Sequence, residues 1–195
     1  SASKGYDVDQ TSHGVTVTRG QTVTTNVTEK PKNDPVALTI VKNDAETLDP
    51  QGGANLAGAE FTVKYYDGFY TKDNLPSKAT RTWVLQTKQV TYSNGKKVYV
   101  AGFNITGSYI KDRSDALYTN TNGVATLPLG TISIEETKAP EGYFLKGAKL
   151  NVTDTASGTT SSVIDGKYVA QINEQYQGAK LQFGNDANQM IVQEK

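Results

Sequence analysis

The sequence predicts an all-β sandwich, and three observations carry that expectation. Threonine, valine, tyrosine and glycine are abundant. Apolar residues recur at alternate positions in short stretches bounded by Gly, Asn, Asp and Pro, the pattern of half-buried strands. No stretch has the apolar spacing of an amphipathic helix. Many short strands separated by turn signals make a sandwich, and 195 residues suffice for one good-sized domain, or one domain and a fragment.

The expected strands run in order along the chain. Val15 to Thr18 and Thr22 to Thr28 form a hairpin whose apolar set, Val15, Val17, Val23 and Val27, needs cover, with Thr25 filling the same phase. A lone hairpin is marginal in water. Glu29-Lys30-Pro31-Lys32-Asn33-Asp34-Pro35 then interrupts the strand pattern with prolines and charges, as an interdomain linker does. Residues 1–34 are therefore assigned to the end of a preceding unit plus linker, and residues 35–195 to the main domain. Within it strands are expected at Ala37 to Lys42, Glu60 to Tyr65, Trp83 to Thr87, Gln89 to Tyr92 and Lys97 to Phe103. Further strands follow at Val124 to Leu127, Thr131 to Thr137, Lys149 to Thr153, Tyr168 to Ile172 and Lys180 to Asn185. Asn94-Gly95 supplies the positive backbone angles of a tight hairpin turn between two of them.

Composition removes whole classes of function. Lysine plus arginine equals aspartate plus glutamate at 20 each, so no net field draws the chain to nucleic acid or acidic membranes. No apolar run is long enough to insert in a bilayer, and Ser1-Ala2-Ser3 opens no signal-peptide core, so the chain reads as a soluble, excised piece. Cysteine is absent, which excludes thiol catalysis, disulfides and thiolate metal sites, and leaves open how an exposed β-protein is stapled. A conventional enzyme needs convergent polar groups in a cleft. The sequence offers one histidine, His13, in the amino-terminal fragment, and no phosphate loop.

Strand parity singles out three residues, since alternate side chains point to opposite faces. Leu38, Ile40 and Lys42 share a face, although an ammonium is costly to bury without a partner. Ile132, Ile134 and Glu136 take the apolar phase, while Thr131, Ser133 and Glu135 take the polar one and are expected to face outward. Leu181, Phe183 and Asn185 fall in phase, with Lys180, Gln182 and Asp186 on the other side. Lys64 and Lys149 alternate against their apolar neighbours and are expected in solvent. On parity alone a buried Lys42–Glu136 salt bridge is the favoured reading.

The run Glu136-Thr137-Lys138-Ala139-Pro140-Glu141-Gly142-Tyr143 resembles the glutamate box of the Cna B-type or SpaA-type isopeptide-forming repeats of Gram-positive pilins and surface adhesins. Ile40-Val41-Lys42-Asn43-Asp44, Leu56-Ala57-Gly58-Ala59-Glu60-Phe61, Asn122-Gly123-Val124-Ala125, Leu127-Pro128-Leu129-Gly130 and Phe183-Gly184-Asn185 support it in the expected order, so the resemblance spans most of residues 35–188. It implies an Ig-like (Cna B-type) β-sandwich in which Lys42 and Asn185 form an isopeptide bond with Glu136 assisting. It also implies a structural stalk domain on the cell wall of a Gram-positive bacterium, a sortase substrate whose partners are neighbouring repeats. Residues 68–118 are longer than the family's compact repeat and are expected to add a lobe. Residues 5–31 resemble the tail of a preceding repeat, with Glu29 where its bond-forming Asn is expected.

Burial lowers a lysine pKa and raises that of a glutamate, so a neutral amine can face a protonated carboxyl. Lys42 then attacks the side-chain carbonyl of Asn185 while Glu136 polarises the amide and shuttles protons as ammonia leaves. Asp186 is the alternative acceptor should a bulge shift the last strand. No cofactor or metal is assigned, and Lys111-Asp112-Arg113-Ser114-Asp115 reads as a solvated turn. The triplets starting at Asn26, Asn104 and Asn151 read as incidental glycosylation patterns, and Pro31-Lys32-Asn33 as linker rather than polymerisation motif. The second function considered is an adhesin that binds a host protein or glycan through exposed aromatics around Tyr65-Tyr66, Phe69-Tyr70 and Trp83.

Overall fold

A computed structural model of the chain describes residues 10–16, 18–22, 38–103, 110–119, 122–173, 175–176 and 178–187. Eleven strands are found among them: β1 Thr39–Asp44, β2 Glu60–Tyr66, β3 Arg81–Gln86, β4 Lys88–Thr91, β5 Lys97–Gly102, β6 Ile110–Asp112, β7 Gly130–Lys138, β8 Lys149–Asp154, β9 Thr160–Ile164, β10 Tyr168–Ile172 and β11 Ala179–Asn185. They build a six-stranded sheet in the order β4-β5-β1-β11-β8-β9 and a five-stranded sheet in the order β10-β7-β2-β3-β6. The two inner faces bury one apolar core. Phe61 of β2 meets Phe183 of β11 edge to face, ring centroids 4.8 Å apart, and Trp83 of β3 meets Phe103, just after β5, at 5.5 Å.

Alternation explains the buried positions. Along β1, Ile40, Lys42 and Asp44 are buried while Val41 and Asn43 are only partly so, and along β11 Leu181, Phe183 and Asn185 take the inward phase. The first and last strands of the domain lie side by side and run parallel, with Ile40 opposite Leu181, Lys42 opposite Phe183 and Asp44 opposite Asn185. At the end of this pair, a Cβ on Gly184 would lie 3.1 Å from the Ala45 Cα. Gly184→Ala is therefore expected to cost about 1–3 kcal/mol through overpacking, read as a lower urea midpoint. An unchanged midpoint would show that β11 has room to spare there.

Several expectations need correction. Val124 to Leu127 form no strand, only an isolated bridge between Thr119 and Ala125, and β6 and β9 lie where no strand was expected. The stretch 68–118 is no separate lobe: β3 and β6 extend one sheet and β4 and β5 the other. The hairpin at Asn94-Gly95 closes through a Gly95 N–H to Tyr92 O bond of 2.9 Å, and Gly95 has positive φ (82°) whereas Asn94 does not. Thr131 and Ser133 are buried on the outer face. The 68–70 loop covers Thr131, whose hydroxyl donates to Gly68 O at 2.7 Å and accepts Tyr70 N–H at 2.9 Å. Lys111-Asp112-Arg113-Ser114-Asp115 is partly β6, and Asp115 accepts Thr82 N–H at 2.7 Å.

Of the expected amino-terminal hairpin only residues 15–16 and 18–22 are described, and they hold no strand; Gln21 N–H donates to Thr18 O across a turn at Arg19-Gly20. The rest of it, the linker with Glu29 and Lys32, and the triplets at Asn26 and Asn104 lie outside the described residues.

Candidate functional site

Three strands from the two sheets converge on Lys42, Glu136 and Asn185. Lys42 and Asn185 come from the parallel pair β1 and β11, whereas Glu136 comes from β7 across the sandwich. In the β1–β11 register Lys42 lies opposite Phe183, two residues before Asn185 and on the same face. Lys42 is 1% exposed and Asn185 fully buried. Asp186, the alternative acceptor, is exposed.

Glu136 sits beside a bulge. Phe61 pairs with Glu136 but Glu60 pairs with Lys138, so Thr137 is the extra residue. Bulges bend a strand and re-aim its side chains. Here the Glu136 carboxylate accepts a hydrogen bond from Asn185 Nδ2 at 3.1 Å. Glu136 is not sealed in the core, as a strict inward reading of its parity would have it. Together with Glu135 it lines a cleft of about 300 Å³ that Leu145, Lys146, Ala148, Asp165, Gly166 and Phe183 complete. Glu135, expected to face away, shares that cleft.

The Lys42 amine donates to Asn43 O at 2.8 Å and to Phe183 O at 3.2 Å, which holds it at the seam between the two strands. Burial pushes its pKa down to about 8, against the nearby charges of Glu136 and Asp44, which favour the ammonium. Burial likewise pushes Glu136 up to about 7, partly offset by Lys42 and by the Asn185 hydrogen bond. The values are 10.5 for an ordinary lysine and 4.5 for an ordinary glutamate. The two shifts run toward each other, so burial brings the neutral amine and carboxylic acid closer in energy to the ammonium–carboxylate form.

Glu136 Oε1 and Asn185 Oδ1 are buried and lack hydrogen-bond partners. Such orphans each cost about 1–3 kcal/mol and are rare in folded proteins.

Asp44 is a site residue that the sequence reading passed over. It lies directly opposite Asn185 in register and is fully buried. Its carboxylate accepts Glu46 N–H at 2.8 Å, Thr47 N–H at 2.9 Å and Gln51 Nε2 at 2.9 Å. These bonds hold its pKa below the usual carboxylate value despite burial. The signal was present, since Asp44 shares the phase of Ile40 and Lys42.

The aromatics proposed as an adhesive patch are mostly interior. Tyr65, Tyr66 and Trp83 are buried, and of that group Phe69 alone is a largely exposed side chain. Among the described residues no group of His, Asp and Glu could hold a metal ion, and no helix is long and apolar enough to cross a membrane.

A family model for the SpaA prealbumin-like fold domain matches residues 37–168. The matched range contains Lys42 and Glu136 and stops short of Asn185. No curated protein matches the chain.

Proposed function

The chain belongs to the SpaA family of prealbumin-like fold domains, and from that premise we propose that it is a tension-bearing stalk module of a bacterial surface protein or pilus that staples itself through a Lys42–Asn185 isopeptide bond. The reading includes Glu136 as proton shuttle, attachment to a Gram-positive cell wall by a sortase, and neighbouring repeats as partners, with residues 1–34 the end of one of them. The observation that carries it is the hydrogen bond from Asn185 Nδ2 to Glu136, because the nitrogen that must depart already faces the group that can protonate it.

The chemistry balances without any outside reagent. The Lys42 Nζ lone pair attacks Asn185 Cγ, and a C–N bond forms. Glu136 takes a proton from Nζ and delivers one to Nδ2; the Cγ–Nδ2 bond then breaks and ammonia leaves. The cleft beside Glu136 offers ammonia a route to solvent. Strands held in register supply the proximity that an amine and an unactivated amide lack in water. The reaction runs once per molecule, so the domain has no turnover and acts on no separate substrate.

The test is the intact mass of the denatured protein, expected to be lighter than the sequence by one ammonia. Full sequence mass would overturn the reading, and loss of one water would move the bond to an aspartate. Followed over pH on chain diluted from denaturant, the condensation should be fastest between about pH 7 and 8. Its reactive form carries one proton, on Glu136. Below about 7 a second proton loads the amine, and above about 8 the acid loses its own. The rate falls about tenfold per pH unit on either side.

An adhesin reading would need an exposed aromatic surface, and the burial of Tyr65, Tyr66 and Trp83 withdraws its main support.

A further inference from the structure

The acceptor residue sits where the last strand changes hands. The antiparallel ladder between β11 and β8 ends at Gly184 opposite Lys149. Beyond it the chain is held by different neighbours: Ala45 N–H donates to Asn185 O at 3.0 Å, Phe144 N–H donates to Asp186 O at 2.9 Å, and Ala187 forms an isolated bridge with Tyr143. Tyr143 also reaches the other strand of the pair. Its hydroxyl accepts Gln51 N–H at 3.2 Å, and Gln51 Nε2 donates to the Asp44 carboxylate, directly opposite Asn185. The Tyr143 ring packs with Leu56, Tyr99 and Ala187 in a small cluster apart from the main core.

We propose that Tyr143 is a positioning residue for the condensation, a latch that fixes the end of β11 against the end of β1 so that the Asn185 carbonyl carbon stays within reach of Lys42. The proposal rests on the cross-linking reading. It gives the eight-residue run from Glu136 to Tyr143 two tasks, proton shuttle at one end and latch at the other, joined by a turn in which Tyr143 N–H donates to Pro140 O at 3.2 Å and Gly142 takes a φ of 85°. Tyr143 touches neither the amine nor the amide. It acts through Ala187, Gln51 and Asp44, and small losses of alignment between reacting atoms are costly in rate.

The experiment follows two clocks on the same chain as it is diluted from denaturant. Fluorescence of Trp83, the sole tryptophan, times folding, and intact mass of quenched samples times ammonia loss. Tyr143→Phe keeps the ring in its cluster and removes the hydroxyl. The expected result is folding within about twofold of wild type and ammonia loss slowed about tenfold. A variant that condenses as fast as wild type overturns the latch. So does one whose ammonia loss slows only in step with Trp83 burial, or one that fails to bury Trp83, since Tyr143 then serves the fold alone. A wild-type chain that keeps its full mass removes the cross-linking reading and the latch together, which separates the two failures.

Discussion

Lys42→Met is expected to lower the thermal midpoint by about 10–20 °C and to leave the chain at its full sequence mass. Methionine nearly matches lysine in volume and spares the core a buried charge, so packing itself should change little. What disappears is the proposed tie between β1 and β11, which would close a loop of 143 residue steps (185 − 42). On the chain-entropy account developed for disulfides such a closure is worth about 5 kcal/mol as an upper guide, and each kcal/mol moves the midpoint of a domain this size by about 2–4 °C. Calorimetry of the variant beside wild type reads the difference, and equal midpoints with equal mass deficits would remove Lys42 from the bond.

Glu136→Gln should produce a similar loss of stability from the opposite sheet. Glutamine keeps the shape of the side chain and can still hydrogen-bond Asn185, but it cannot carry a proton between Nζ and Nδ2. General acid–base catalysis by one side chain contributes roughly 10²–10⁴-fold, so the variant should fold and retain its ammonia over hours in which wild type loses it. Combined with Lys42→Met, the two losses should not add, because either change removes the same bond. Additive midpoint shifts would mean that each residue stabilises the fold separately, as a plain buried ion pair does.

Parity was enough to find the centre of this molecule and not its coverings. β1 alternates in burial, the sequences of β7 and β11 alternate apolar with polar side chains, and Lys42, Glu136 and Asn185 stand out because each occupies an apolar phase. β9 gave no such signal: Thr160–Ile164 is exposed throughout on the rim of its sheet, where neither face selects a pattern. β6 is three residues long, too short to show a period. Thr131 and Ser133 carry the outward phase yet are buried, Thr131 under a loop that begins more than 60 residues earlier, and alternation along one strand holds no information about that. Trp83, Tyr65 and Tyr66 would be exposed only on the adhesin reading, and they are interior because β2 and β3 pair at the middle of a sheet. Glu136 was legible as inward, but the cleft at its side depends on the 145–148 and 165–166 segments closing around it.

The parallel pairing of β1 with β11 also sets an order of events during synthesis. As the chain leaves the ribosome, β1 can join β5 early, but its other edge stays unmatched until residues 179–185 have been made. A sheet completed only by its final segment is a contact of long range, slow to form and impossible for a truncated product. Until then the Lys42 amine remains hydrated and protonated, and so unreactive. On the proposed reading, a chain that lacks residues 179–185 could not seal itself.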